Sequence, residues 1–437
     1  MIKRRDFIKW AGTAGIGLSA AGWSLLANAD TRRTSTATLA VPTGTGIKGR
    51  VVIIGGGMGG ATAAKYLRHW GGTGVEVTLI ERESSYASNI MSNLVLNGSR
   101  NMTSLQYGYG NLASRYGVKI VKGDVVAIDP VGHAVTLSSG TRYPYDRLVV
   151  APGVDFDSLP GLETAAAQAA VPHAWKAGPQ TTALRNKITA MPSGGVFVMS
   201  IPAKPYRCPP GPYERACIVA DWLKRNRPGS KVIVLDANPG ITAEVHSFTD
   251  AFEVVHKGVI EYHPGVSITS VDASTLTANT NIGNIRGNVL NVIPPHRAGK
   301  VISANGLADA GGKWTSVDVL SYEAKVAPGV HVIGDAAATT QPKAGHIANQ
   351  EAKVCADAIL RLLSGRAPDP APQTNSACYS PITFDTASWL TATFAYDPVS
   401  KTMLPVPASS GEAAARSQDN FNEMNKWFTA LMGDSFA

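Results

Sequence analysis

Cys208 lies in the run Tyr206-Arg207-Cys208-Pro209-Pro210-Gly211-Pro212-Tyr213-Glu214-Arg215, at the point where a chain with two dinucleotide folds would carry its second glycine-rich loop. A thiol there replaces phosphate binding with sulfur chemistry and points to electrons taken from a sulfur compound. Three further cysteines stand at 217, 355 and 378. Cys217 and Cys355 fall inside predicted helices among apolar neighbours, where a small thiol packs as a hydrophobe. Cys208 and Cys378 fall in irregular, proline-marked stretches of the kind that carry function. An oxidising compartment would let this pair join, and spacing alone favours a structural bridge tying the tail to the body. The chain has no Cys-x-x-Cys and no histidine pair at i, i+4, so it lacks metal-ligand spacing.

The second chemical signal is Gly55-Gly56-Gly57-Met58-Gly59-Gly60, which fits G-x-G-x-x-G at Gly55, Gly57 and Gly60. A buried strand at 51–54 precedes it, a helix predicted over 61–70 follows, and Glu81 closes the next strand, where it would accept hydrogen bonds from ribose hydroxyls. Glycine suits the tight turn at Gly55, the approach of a pyrophosphate at Gly57 and close helix–strand packing at Gly60. FAD rather than NAD is indicated by the strand at 330–335, which ends in Gly334-Asp335 before a late helix; an aspartate in that place also serves as an ordinary cap. Between Val196 and Glu214 there is no second glycine fingerprint, and Pro202, Pro205, Pro209, Pro210 and Pro212 remove backbone donors that a nicotinamide dinucleotide would need.

These residues must be positioned by more than one core, since the 437-residue chain exceeds what a single core holds. The predicted class is α/β, with two Rossmann-like dinucleotide-binding-type domains and a C-terminal α+β segment. Residues 50–157 and 300–366 form the FAD-binding domain, 158–299 the second Rossmann-like domain without a nicotinamide loop, and 367–437 a flavin-capping and partner-interface segment. Its last helix is predicted near 421–431, with an apolar stripe that core packing explains more simply than membrane docking. Residues 1–29 read as a twin-arginine signal peptide, with Arg4-Arg5 ahead of a weakly apolar stretch and Ala27-Asn28-Ala29 before the cut, so export to the periplasm is expected. Residues 30–49 read as a flexible leader. No transmembrane segment is expected in the mature chain. Loss of the leader peptide lowers the net charge from +8 to +5, too mild an excess to suggest nucleic acid.

Beyond these patterns the sequence resembles the flavoprotein subunit of flavocytochrome c sulfide dehydrogenase, a relative of the sulfide:quinone oxidoreductases within the disulfide-reductase-like flavoproteins. The likeness rests on the runs at 208–216, 172–178 (Pro-His-Ala-Trp-Lys-Ala-Gly), 293–300 (Ile-Pro-Pro-His-Arg-Ala-Gly-Lys), 332–335 and 378–380, and so spans nearly the whole mature chain. It implies that Cys208 and Cys378 form a redox-active disulfide beside FAD, opened by hydrosulfide through thiol–disulfide exchange. Glu214, six residues past Cys208, is then placed to shuttle a proton, although acidic residues are also favoured in a first helical turn. Lys343 is expected to favour negative charge on the reduced flavin, or to be a solvated lysine. The resemblance also implies a c-type cytochrome subunit as acceptor, carried on another polypeptide because the chain has no Cys-x-x-Cys-His. The alternative is a sulfide:quinone or persulfide-directed oxidoreductase on the same fold, and a flavin-bearing sulfur carrier is the reading from another class. One departure stands out: Asn89 occupies the position, three residues before Ser92-Asn93, from which the family often links its flavin through cysteine. Non-covalent FAD is therefore expected.

Overall fold

The computed structural model describes residues 41–437; the signal peptide read at 1–29 and the leader up to residue 40 lie outside the described residues. An apolar, β-branched run gives β1 (Gly49–Ile54), buried from Val51 to Ile54. The helix after it, α1 (Met58–Gly71), starts three residues before the predicted Ala61, because Gly57 is its N-cap and the end of the glycine run already turns helically. Three more strands follow: β2 (Val75–Glu81), β3 (Lys119–Lys122) and β4 (Arg147–Val150). All run parallel, β1 between β2 and β4, and β3 outside β2.

A second parallel sheet is built from β5 (Val196–Ile201), then α2 (Gly211–Asn226), β6 (Lys231–Asp236), β7 (Ile260–Pro264) and β8 (Val289–Val292), in the order β7-β6-β5-β8. Pro212 sits in the first turn of α2, where no intrahelical N–H is required. The chain then returns: β9 (Val330–Val332) pairs in parallel with β4, and α3 (Gly345–Leu363) packs along α1. Both sheets bear out the α/β class, and each strand row ends where a loop of chemical interest begins.

The C-terminal stretch departs from the sequence reading. In place of an irregular path broken by prolines there are two long strands, β10 (Gln373–Pro381) and β11 (Ala387–Asp397), completed by β12 (Thr402–Pro405) in an antiparallel sheet. Cys378 is thus a strand residue opposite Leu390, not a loop residue. The reason lies in the two-residue side-chain period: Thr374, Ser376, Cys378 and Ser380 share one face, and their small polar side chains hide the apolar alternation that would announce a strand. The last helix, α4 (Gln418–Phe436), is capped by Ser417, whose hydroxyl accepts from the Asn420 N–H. Of the apolar stripe predicted at Phe421, Met424, Trp427, Phe428 and Leu431, Met424, Phe428 and Leu431 are buried in the main core, while Phe421 and Trp427 pack against it half-buried; Met432 and Phe436 are buried beside them. Among the described residues no helix is long and apolar enough to cross a membrane.

At Gly60 an added Cβ would stand 1.8 Å from the Gly55 carbonyl oxygen, a clash with backbone that cannot rotate away. Gly60→Ala is expected to destabilise the fold by about 1–3 kcal/mol or more, the usual range for overpacking, read by denaturant titration of the purified protein.

Candidate functional site

The loop between β5 and α2 and the strand β10 are tied to the start of α3 and the residues just before it. The Cys208 N–H donates to the Lys343 carbonyl at 2.7 Å, and the Ala377 N–H donates to Nδ1 of His346 at 3.0 Å. Residues 208 and 378 are therefore brought to the same place from opposite ends of the structure. Cys208 adopts a left-handed backbone with φ 59°, rare for a residue with a Cβ, and its carbonyl accepts from the Gly211 N–H at 2.9 Å. Gly211 is required for space: a Cβ there would lie 2.8 Å from the Cys208 sulfur. The two sulfurs stand as free thiols, not joined as the disulfide the resemblance implied. They face each other electrostatically, for Cys378 is the strongest charge acting on Cys208 after burial itself, followed by Glu214. Cys217 and Cys355 are fully buried within α2 and α3, as expected.

Glu214 joins the two thiols. It is almost completely buried in the first turn of α2, where one carboxyl oxygen accepts from Nδ2 of Asn93 at 2.9 Å. Burial pushes its pKa up to about 8, against the opposing pull of that hydrogen bond. Burial likewise pushes the Cys208 thiol far up and the Cys378 thiol to about 12, so both are neutral when reduced at physiological pH. Behind Glu214, Arg215 is buried and bonded throughout: Nε to Oδ1 of Asn93 at 3.0 Å, Nη1 to the His173 carbonyl and Oδ1 of Asn291, Nη2 to the Ala174 carbonyl at 2.7 Å. Its guanidinium also lies over the Trp175 ring. Sequence reasoning noticed the 172–178 run and Ser92-Asn93 without seeing that Arg215 clamps both.

Two site residues were missed altogether. Glu244, on the loop after β6, is buried and accepts from the Ser380 hydroxyl at 2.6 Å; it is the leading charge acting on Cys378. His296 is buried with neither ring nitrogen bonded, its ring beside Phe156 at 5.0 Å. Burial and the charge of Arg207 hold its pKa down near 2, so it is a neutral imidazole. No sequence periodicity marks a single buried glutamate or histidine, although His296 lies in a run that carried the resemblance.

The predicted dinucleotide residues lie at the ends of β1, β2 and β9. Gly55 turns at φ 97°, no side chain caps α1, and the open side of Gly57 meets nothing closer than the Tyr86 ring at 3.7 Å. Glu81 accepts from the Gly56 N–H at 2.6 Å and from the N–H groups of Arg82 and Glu83. Gly334 donates its N–H to Glu351 at 2.6 Å, and the adjacent Asp335 holds a buried carboxyl oxygen with no partner. An uncapped helix N-terminus at one end and an orphaned buried acceptor at the other fit a phosphate-bearing cofactor with a hydroxylated chain, as FAD is. Lys343 is not a solvated lysine. Its ammonium donates to the carbonyls of Asp335 and Ala337 and stands 3.8 Å over the Trp314 ring, on the same turn that anchors Cys208. Asn89 accepts from the Ala177 N–H through its side-chain oxygen at 2.8 Å, a structural contact.

In the second sheet, Asp236 ends β6 as Glu81 ends β2, the position that binds ribose in a nicotinamide fold. It is fully buried and taken. Oδ2 accepts from the hydroxyls of Tyr213 and Tyr262, each at 2.8 Å, and Oδ1 from the backbone and side-chain N–H groups of Asn238.

Comparison with known proteins agrees with this geometry. Residues 181–294 match the family described as sulfide dehydrogenase (flavocytochrome c) flavoprotein chain, central, and residues 49–187 match pyridine nucleotide-disulphide oxidoreductase. The mouse mitochondrial sulfide:quinone oxidoreductase is 22% identical over 299 residues, 65% of either chain. Ferroptosis suppressor protein 1 of Taeniopygia guttata is 33% identical over 108 residues, and there this chain spans only 27% of the relative. Among solved structures, the sulfide:quinone oxidoreductase of Aquifex aeolicus superposes with a TM-score of 0.72 at 16% identity, over 88% of this chain and 92% of that one. An NAD-dependent persulfide reductase from A. fulgidus gives 0.58 at 15%, over 88% and 77%. At such identities the structural likeness speaks for the fold. Together the matches bear out the resemblance read from the cysteine-proline run, and with it an FAD-binding oxidoreductase.

Glu214 and Glu351, both pushed up to about 8, hold protons when folded that they release near 4.5 when unfolded. Because the folded state then binds more protons, stability falls as pH rises from about 4.5 through 8. Glu214→Gln should flatten part of that slope, with melting temperature followed across the range.

Proposed function

We propose that this chain, an FAD flavoprotein of the sulfide-oxidising family, oxidises hydrosulfide to zero-valent sulfur through a Cys208–Cys378 disulfide. The observation that carries this reading is that Cys208 and the residue beside Cys378 are both held to the segment at 343–346, with Glu214 among the charges that act on each thiol. Hydrosulfide attacks one sulfur of the bridge; the S–S bond breaks, a persulfide forms on the attacked cysteine, and the other leaves as a thiolate. A thiolate in so dry a place calls for a proton, and Glu214, protonated below about pH 8, is positioned to give one. Bound FAD would supply the chemistry of taking up an electron pair and passing it on one electron at a time. Gly55, Gly57, Gly60, Glu81, Gly334 and Asp335 would hold it, with Lys343 beside it and no covalent link at Asn89.

For the acceptor we favour a c-type cytochrome on a separate polypeptide, supported by the match at 181–294 and by the burial of most of α4's apolar stripe in the core. The likeness to sulfide:quinone oxidoreductases supports a quinone as the alternative acceptor on the same fold. A periplasmic location, by twin-arginine export, belongs to the same proposal. Engagement of Asp236 by Tyr213, Tyr262 and Asn238 argues against nicotinamide as donor.

Anaerobic sulfide titration is expected to bleach the flavin of the wild-type protein and to leave that of Cys208→Ser or Cys378→Ser oxidised. Glu214→Gln should lower kcat/KM about 10²-fold. Turnover with cytochrome c supports the favoured acceptor, turnover with quinones alone supports the alternative, and bleaching without turnover supports a sulfur carrier. Acid precipitation should release the FAD into the supernatant; flavin retained in the pellet would contradict non-covalent binding.

A further inference from the structure

Glu244 has features that a packing residue does not need. Its backbone is left-handed, with φ 50° and ψ 47°, a conformation that a non-glycine residue keeps only when its surroundings impose it. Its side chain is 2% exposed, so its charge has been taken out of water. One carboxyl oxygen accepts from the Ser380 hydroxyl at 2.6 Å, and the other, also buried, makes no close hydrogen bond, with only the Ser388 hydroxyl near enough to favour its ionised form. A poorly paired carboxyl oxygen in a dry interior is costly unless the group carries a proton or exchanges one.

The strand that Glu244 meets is the one that bears Cys378. Side chains two apart on β10 share a face, so Ser380, bonded to Glu244, and Cys378 point the same way. Groups from every element packed around Glu244 act on it or feel it. They are Glu214 and Cys217 of α2, Cys378 and Ser380 of β10, Ser388 of β11 and Glu412 of the short strand Gly411–Glu412. Ser388 in turn lies 2.7 Å from the Ser247 hydroxyl, which closes the polar pocket from the other side.

We propose that Glu244 is the proton-holding group of Cys378, a counterpart to Glu214 at Cys208, so that each thiol of the pair has its own carboxyl. The proposal deepens the reading above and rests on its disulfide. When hydrosulfide attacks the Cys208 sulfur, the S–S bond breaks with its electron pair on Cys378, and Cys208 keeps the new S–SH group. Glu244 then gives its proton to the Cys378 thiolate and becomes a carboxylate, held by the Ser380 hydroxyl; no electron leaves the dithiol in this step. The carboxylate takes a proton back when the thiol is next deprotonated. Burial raises the Glu244 carboxyl to about 7 and the Cys378 thiol to about 12, so the transfer runs downhill. Glu214 feels the charge of Glu244, so the two carboxyls resist being ionised together.

The test uses the FAD-bound protein in a Cys208→Ser background, where Cys378 cannot bridge, with alkylation by iodoacetamide followed on the Cys378 peptide by mass spectrometry. At pH 9 the Glu244 carboxylate opposes formation of the neighbouring thiolate. Glu244→Gln should therefore speed Cys378 alkylation about tenfold, the equivalent of one pH unit in the thiol, and Glu244→Asp should restore the slow rate. Ser380→Ala is the second variant, should Glu244→Gln fail to fold. Removing the donor that favours the ionised carboxyl should move the neutral-pH limb of the kcat profile upward in an otherwise wild-type enzyme. An alkylation rate indifferent to Glu244→Gln, or a profile unmoved by Ser380→Ala, overturns the assignment of Glu244. Sulfide bleaching of the wild-type flavin is recorded alongside: its absence sinks the sulfide reading itself, whatever Glu244 does to the thiol.

Discussion

A single buried guanidinium holds the chemical half of this molecule in register. Arg215 has lost its water, and in exchange it donates to Asn93, Asn291 and the carbonyls of His173 and Ala174, three separate stretches of chain drawn onto one residue of α2. Removing one partner from a buried charge of this kind costs about 3–5 kcal/mol, because what remains is an uncompensated ion in a dry interior. Arg215 is adjacent to Glu214 and seven residues beyond Cys208, so the acceptors that satisfy it also dictate where the thiol and the carboxyl lie. Burial depresses its own pKa to about 9, yet it remains a cation at neutral pH.

Around that cation the site gathers groups that would each prefer to be neutral. Two thiols and two carboxyls share a pocket with little water, and desolvation is the leading cause of every shift among them. Neutral thiols are poor nucleophiles, since the thiolate is the reactive form. A reduced pair in this setting is therefore quiet, and in the proposed reaction the reactive partner is an incoming anion acting on the oxidised pair. The same dryness strengthens each hydrogen bond that remains, which is why Asn93 and Ser380 can steer carboxyl groups from which bulk solvent is missing.

Much of this was open to reading from residue types. The glycine fingerprint, Glu81 and Gly334-Asp335 announced a dinucleotide fold because backbone geometry leaves glycine no substitute there, and Cys208 stood out by sitting where a second fingerprint belonged. What escaped the reading has physical causes. β10 looked irregular because its inward face is made of hydroxyls and a thiol, so polarity concealed the period of two. Glu244 sits in no motif, and its importance arises only when β10 folds over it. Lys343 was weighed as a solvated side chain, whereas its ammonium is enclosed by two carbonyls and an indole, a contact set by tertiary packing. Local propensity placed the start of α1 to within three residues and missed the helix Pro179–Thr189; long-range pairing, which no local window contains, placed the second cysteine.

The occupation of Asp236 carries a consequence for how the fold could change. Two phenols and an asparagine converge on that carboxylate from β7, α2 and the segment after β6. Withdrawing any one of them leaves the others in place and strands a buried polar group, so no single substitution reopens the slot to an adenosine ribose. The closure of this slot proposed above is in that sense latched: reopening it requires several coordinated replacements, each unfavourable until the last is made.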